Sequence, residues 1–217
     1  MGGELPSAEV RLISKLVKVL FVPAGHRPKH FKIMSRIKII EPQEAEGRLR
    51  DIYLDLEKQR GQIAEVHKIQ SLRPESIVKH MDLYMEIMFG RSELSRAQRE
   101  MMAVIVSVTN QCDYCSSHHG SALDRYWSNA EKLELLKKDF TLLDLEEKDK
   151  TLCEFAHLLT IDPGNKRDFT NDLRNAGFND PAILDAALVV SYFNFVNRIV
   201  LSLGVELEQD KGENYKY

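Results

Sequence analysis

Glu100, Cys112, Cys115 and His119 are the residues of this chain whose types and spacing can do chemistry. Two cysteines separated by two residues can cycle between dithiol and disulfide. A nearby base and a helix N-terminus lower the pKa of such a thiol, so that it reacts as a thiolate. Cys115 and His119 are four apart and share a helix face, with about 6 Å between their Cβ atoms. His119 is also seven residues from Cys112, whereas His118 is rotated away by about 100°. The pattern predicts a thiol redox centre. Metal binding is the weaker reading, because a closed zinc site takes four ligands and only Cys112, Cys115 and one of His118 or His119 are at hand. The remaining reading is a chance pairing of two small buried residues.

The elements that must hold these residues read as helices. Ser95 with Gln98 three residues on is a capping-box arrangement, which predicts a helix over 96–109. Its interior, from Met101 to Val106 with Val108, is apolar on nearly every side and predicts a buried central helix. A carboxylate inside it, Glu100, then needs a partner or a shifted pKa. Asn110 is expected to cap a second helix that carries Cys112 in its first turn and continues through Leu123. Upstream, residues 42–59 place Leu49, Ile52, Tyr53 and Leu56 at helical spacings, and residues 74–89 do the same with Ile77, Met81, Tyr84, Met85 and Met88. Downstream, 130–138, 146–160, 165–176 and 181–203 carry the same period, and no strand pattern is present, so the expected fold is all-α. A faint internal echo matches Ala103–Ser107 with Ala187–Ser191, and Asn110 with Asn194, in one ungapped register. It suggests a duplicated helical unit whose second copy has Val196 and Ile199 in place of the cysteines.

Composition bounds the rest. Among 217 residues, 43% are hydrophobic and 29% charged, enough for one sizeable core. A net charge of −3 gives no global attraction to nucleic acid or anionic membrane, so a small molecule or a protein is the expected partner. Three cysteines do not make a secreted disulfide framework, and Cys153, inside an apolar helical pattern, is expected to be inert. No apolar run approaches the roughly 20 residues that span a bilayer, and the N-terminus is a poor match to a signal peptide, so a cytoplasmic location is expected. Residues 1–36, basic and interrupted by Pro23 and Pro28, are expected to form an N-terminal extension, with the folded domain over 37–217.

The combined motif of Glu100, Cys112-Asp113-Tyr114-Cys115 and His119 resembles the core of the alkylhydroperoxidase D (AhpD)-like, carboxymuconolactone decarboxylase superfamily. The resemblance is closest to its peroxidase-related branch and covers about residues 37–217. It is carried also by Leu83-Tyr84, Phe89-Gly90, Leu94-Ser95-Arg96, His118-His119-Gly120 and Tyr192-Phe193-Asn194-Phe195-Val196-Asn197-Arg198. It implies an AhpD-like helical bundle that assembles into trimers or hexamers and reduces hydroperoxides. In that scheme Cys115 attacks the peroxide, Cys112 resolves the sulfenic acid to a disulfide, and Glu100 with His119 relays protons. No tightly bound cofactor is implied; turnover draws on an external dithiol, in the family a lipoyl-bearing adaptor protein. The best-studied members carry a histidine between the cysteines where this chain has Tyr114, a poor base at neutral pH, which predicts a shorter relay and weaker activity. The decarboxylase branch lacks the paired cysteines. The alternative from another class is a non-catalytic redox sensor or interaction protein whose disulfide controls assembly.

Overall fold

In a computed structural model, residues 35–164, 167–209 and Tyr215 are described. Nearly all of the expected extension, residues 1–36, therefore lies outside the described residues. Ser35 and Arg36 are inside, and Arg36 donates through its backbone N–H to the Leu203 carbonyl and through its guanidinium to those of Leu201 and Ser202. Those are the orphan carbonyls of a helix C-terminus, which attract a cation and its N–H donors.

Helices α1 (Gly47–Arg60), α2 (Glu65–Lys68), α3 (Pro74–Phe89), α4 (Arg96–Thr109), α5 (Asp113–Trp127), α6 (Ala130–Asp139), α7 (Glu147–Ile161), α8 (Phe169–Asn175) and α9 (Asp180–Leu203) make up the fold, and no strand occurs among the described residues. The all-α expectation holds. Helix α4 is the hub and packs on α3, α5, α6, α7 and α9. Every residue from Arg99 to Ser107 is buried, so the sequence that is apolar all round is the one with neighbours all round. The capping box forms as read, with the Ser95 hydroxyl accepting from the Gln98 N–H and the Gln98 side chain accepting from the Ser95 N–H.

Several boundaries differ from the expectation. The stretch 42–59 splits into a single 3-10 turn, Pro42–Glu44, and α1, which begins at Gly47. The helix expected over 165–176 is the shorter α8, because the Asp168 carboxylate accepts from the Thr170 and Asn171 N–H groups and caps it there. Met85, placed on the apolar face of α3, is 40% exposed, while Ile77, Met81, Tyr84 and Met88 are buried. Helix α9 lies within one residue of the expected 181–203 but is more apolar than the sequence reading allowed. Its 24 residues reach a mean hydropathy of 1.5 over the most apolar window, enough by length and composition to cross a membrane. It instead packs on α3, α4, α7 and α8 and carries Asn194, Asn197 and Arg198, the pattern of a core helix.

Candidate active site

The turn between α4 and α5 sets the cysteines. Asn110 ends α4 rather than capping α5, and its side-chain amide donates to the Asn194 and Asn197 Oδ1 atoms of α9, both at 3.0 Å. That tie to α9 takes the side chain that a cap would have used. Gln111 turns the chain with φ +57°, and the Cys112 N–H returns to the Ser107 carbonyl at 2.8 Å. Cys112 is thereby the N-cap residue of α5, and Cys115 lies in the first turn beyond it. Both sulfurs meet the positive end of a helix, although they are only 1% and 2% exposed.

The two thiols share a hydrogen bond, and its asymmetry sets their ionisation. The Cys115 S–H directed at Cys112 lowers the Cys112 pKa against burial, assisted by the backbone N–H groups of Cys115 and Tyr114. Cys115 is pushed well above the ordinary thiol value by the same bond, by burial and by the neighbouring Cys112 charge, with the Asn197 side chain opposing. The first negative charge on the pair therefore rests on Cys112. Cys153 is buried away from this site in α7, and burial raises its pKa, in keeping with the inert thiol expected there.

Glu100 is fully buried, at 0% exposure. Burial pushes its carboxyl pKa up, but His119 and Arg96 outweigh that and hold it below the usual value. His119 Nδ1 stands 2.7 Å from Oε2, and the Arg96 guanidinium pairs with Oε1, its Nε at 2.9 Å. Because an ionised carboxylate only accepts, His119 Nδ1 carries a hydrogen and donates it to Glu100. Arg96 is held in turn by the Met88 carbonyl at 3.0 Å, the Tyr84 hydroxyl at 3.3 Å and the Phe89 ring, 3.6 Å below the guanidinium. The structure thus brings Glu100 to His119, and adds Arg96, which the sequence reading did not name as part of the site.

It also adds a second carboxylate–imidazole pair. Glu208, beyond the end of α9, accepts from the Tyr114 hydroxyl at 2.7 Å and the Glu65 N–H at 2.9 Å, and lies 2.8 Å from His118 Nε2. Burial would raise the Glu208 pKa, but these partners, His118 first, bring it down to about 2. The Tyr114 phenol is raised well above its usual pKa by burial and by Glu208, so it remains a donor and not a base. Helical spacing had set His118 aside, and no local signal in the coil around Glu208 points to a site.

Cys115, His118 and His119 line one cavity of about 50 Å³, together with His67, His80, Tyr84, Tyr114, Tyr192 and Tyr215; Cys112 does not line it. His67 and His80 are buried, and burial lowers their pKa values to about 3 and about 4. At His67 the charges of His80, Arg60 and His118 add to that, while Glu208 opposes. An unfolded histidine binds its proton near pH 6.5, so below that pH the unfolded chain takes up protons that the folded chain does not. Stability contributed by the neutral rings is complete above pH 6.5 and is lost as pH falls toward 4 and then 3. At pH 5 the expected loss is about 2 kcal/mol for each ring. Urea denaturation at pH 7 and pH 5 checks this: the loss should shrink in a His67→Phe/His80→Phe variant, and an equal loss in both proteins would contradict it.

Comparison with known proteins agrees with this architecture. Residues 77–136, which run from α3 through both cysteines into α6, match the model of the carboxymuconolactone decarboxylase family. A solved structure described as an alkylhydroperoxidase AhpD core, an uncharacterized peroxidase-related protein from Ralstonia eutropha JMP134, superposes with a TM-score of 0.73 at 22% identity, covering 82% of this chain and 94% of that one. An uncharacterized peroxidase-related protein from Silicibacter sp. TM1040 gives 0.69 at 23% identity, covering 89% and 98%. The debrominase Bmp8, as an alanine variant in complex with 2,3,4-tribromopyrrole, gives 0.69 at 17% identity, covering 84% and 96%. At these identities the likeness is one of fold. A stretch of 143 residues, 64% of this chain, is 26% identical to the ATP-dependent bile acid permease of Saccharomyces cerevisiae, and it spans only 8% of that protein's length. A segment that contains the Cys-X-X-Cys turn thus matches the carboxymuconolactone decarboxylase family model, within a fold shared along most of its length with AhpD-like, peroxidase-related proteins.

Proposed function

We propose that the protein is a dithiol-dependent hydroperoxide reductase in which Cys115 attacks and Cys112 resolves. The observation that carries this reading is the cavity that Cys115 lines together with two imidazoles, one backed by the buried Glu100 and the other by the half-buried Glu208. Of the two thiols Cys112 ionises first, and transfer of the Cys115 proton along the shared hydrogen bond then moves the charge to the sulfur that faces the substrate. The Asn197 side chain then stabilises the Cys115 thiolate.

The Cys115 thiolate attacks the terminal oxygen of R–O–O–H and the O–O bond breaks with its electron pair on the departing alkoxide. That oxygen takes a proton to become R–OH, and Cys115 becomes a sulfenic acid. Cys112 attacks the sulfenic sulfur, the disulfide forms and hydroxide leaves as water after taking a proton. An external dithiol returns the two electrons. His119, oriented by Glu100, and His118, oriented by Glu208, are the groups that move protons, so loss of the histidine between the cysteines is met by a different pair from the same helix.

The proposal extends to the surroundings the reaction needs: a reducing, cytoplasmic compartment, a lipoyl-type dithiol on an adaptor protein, and assembly into trimers or hexamers. Leu184, Leu188 and Phe195 form an exposed apolar stripe along α9 that would suit contact with a second copy. The test is peroxide consumption by the reduced protein supplied with dihydrolipoamide. Many turnovers per protein are expected. A single stoichiometric oxidation accompanied by a change in oligomeric state would instead support the redox-sensor alternative.

A further inference from the structure

The direction of each hydrogen bond along one wall of the cavity can be worked out from its far end. The Gln70 side-chain nitrogen lies 2.7 Å from the Val66 carbonyl and 2.8 Å from His80 Nδ1. A carbonyl only accepts, so this atom is the amide NH2, and its second hydrogen points at His80 Nδ1. His80 Nδ1 must accept, and the hydrogen of the neutral ring is on Nε2. Nε2 lies 2.7 Å from the Tyr192 hydroxyl and therefore donates to it. The Tyr192 oxygen has its acceptor role filled, and its own hydrogen has no protein acceptor among the described residues. Tyr192 lines the cavity beside Cys115.

Tyr84 reaches the same condition from the other side. Its hydroxyl accepts from Arg96, which can only donate, and the Tyr84 and Tyr192 rings stand 6.0 Å apart on the cavity wall. Both phenols have their pKa values raised by burial, so both keep their hydrogens. A third group in the wall is also unsatisfied: His67, 4% exposed, has a buried Nδ1 without a hydrogen-bond partner. Buried polar atoms are normally paired, and donors left over around a cavity next to a nucleophile mark the place of an oxygen-bearing ligand.

We propose that the Tyr192 and Tyr84 hydroxyls form a two-donor seat for the departing oxygen of the substrate, with His80 and Gln70 as positioning residues that keep the Tyr192 hydrogen turned into the cavity. This rests on the peroxidase reading and adds the group that reads the substrate. As the thiolate attacks, negative charge grows on the alkoxide, and fixed O–H donors bind that charge more strongly than they bind the neutral peroxide.

The experiment is stopped-flow oxidation of the reduced full-length protein by tert-butyl hydroperoxide, paired with the pH profile of thiol alkylation. Tyr192→Phe should slow peroxide oxidation by roughly 100- to 1000-fold, the range seen when one donor to a developing oxyanion is removed, and leave the alkylation midpoint unmoved. Tyr84→Phe should do the same to a similar extent. His80→Ala should slow the wild-type protein but add less than twofold in the Tyr192→Phe background, which a merely structural role would not give. Oxidation of Tyr192→Phe within twofold of wild type, with Cys115→Ser unreactive, would overturn the seat and leave the peroxidase reading standing. Failure of the wild-type protein to react with the peroxide would remove both.

Discussion

Cys115→Ser should lower peroxide turnover by roughly a thousandfold or more, because it removes the one thiol among the residues that line the cavity. The companion variant separates the two thiols. Cys112→Ser should still be oxidised once, leaving a sulfenic acid on Cys115 that dimedone traps, and should then stop, since nothing remains to form the disulfide. Dimedone labelling of Cys112 after a single oxidation of the Cys115→Ser protein, with Cys112→Ser left unreactive, would reverse the assignment. The reversal has a physical basis worth testing against, because ionisation favours Cys112 while access favours Cys115. The pair decides by whether the proton on the shared hydrogen bond moves faster than peroxide reaches the inner sulfur.

Glu100→Gln should cost stability and reactivity together. It leaves Arg96 without its buried counter-charge and the His119 Nδ1 hydrogen without its carboxylate acceptor. Removing one partner of a buried pair costs on the order of 3 kcal/mol, read here as a lower urea midpoint at pH 7. The pH dependence has a definite sign. The Glu100 pKa in the folded protein lies below the ordinary 4.5, so its contribution is complete above 4.5 and is lost as pH falls through the lowered value. The variant should therefore show a shallower acid limb below pH 4.5 than the wild-type protein. Peroxide oxidation should slow as well. A variant as stable and as reactive as wild type at pH 7 would refute the role given to this carboxylate.

Local signals account for what could be read before the structure. Pro74 and Gly90 bound α3, and the Ser95–Gln98 box starts α4, so those two helices appear with the expected limits. Burial also called for a partner to Glu100, since a carboxylate in an apolar helix must find one, and the resemblance pointed to His119 as that partner. The rest depends on pairings distant in sequence. Helix α2 is four residues long, too short to show a period, yet its Val66 lines the cavity. Glu208 sits 90 residues from His118 in a segment without regular structure, and its partners have no fixed spacing to it. The chain from Gln70 through His80 to Tyr192 links the α2–α3 connection, α3 and α9, and no single window of sequence contains all three.

The contact between Asn110 and Asn194 bears on the faint echo between α4 and α9. These are the matched positions of the two stretches, and they touch where the two helices pack. In the same register Val196 corresponds to Cys112 and Ile199 to Cys115, and Val196 forms part of the cavity wall. A strictly symmetric pair would face four thiols across one axis and let them cross-link into mixed disulfides. With valine and isoleucine at the matched positions, the proposed oxidation leaves Cys112 and Cys115 only each other to pair with at this site.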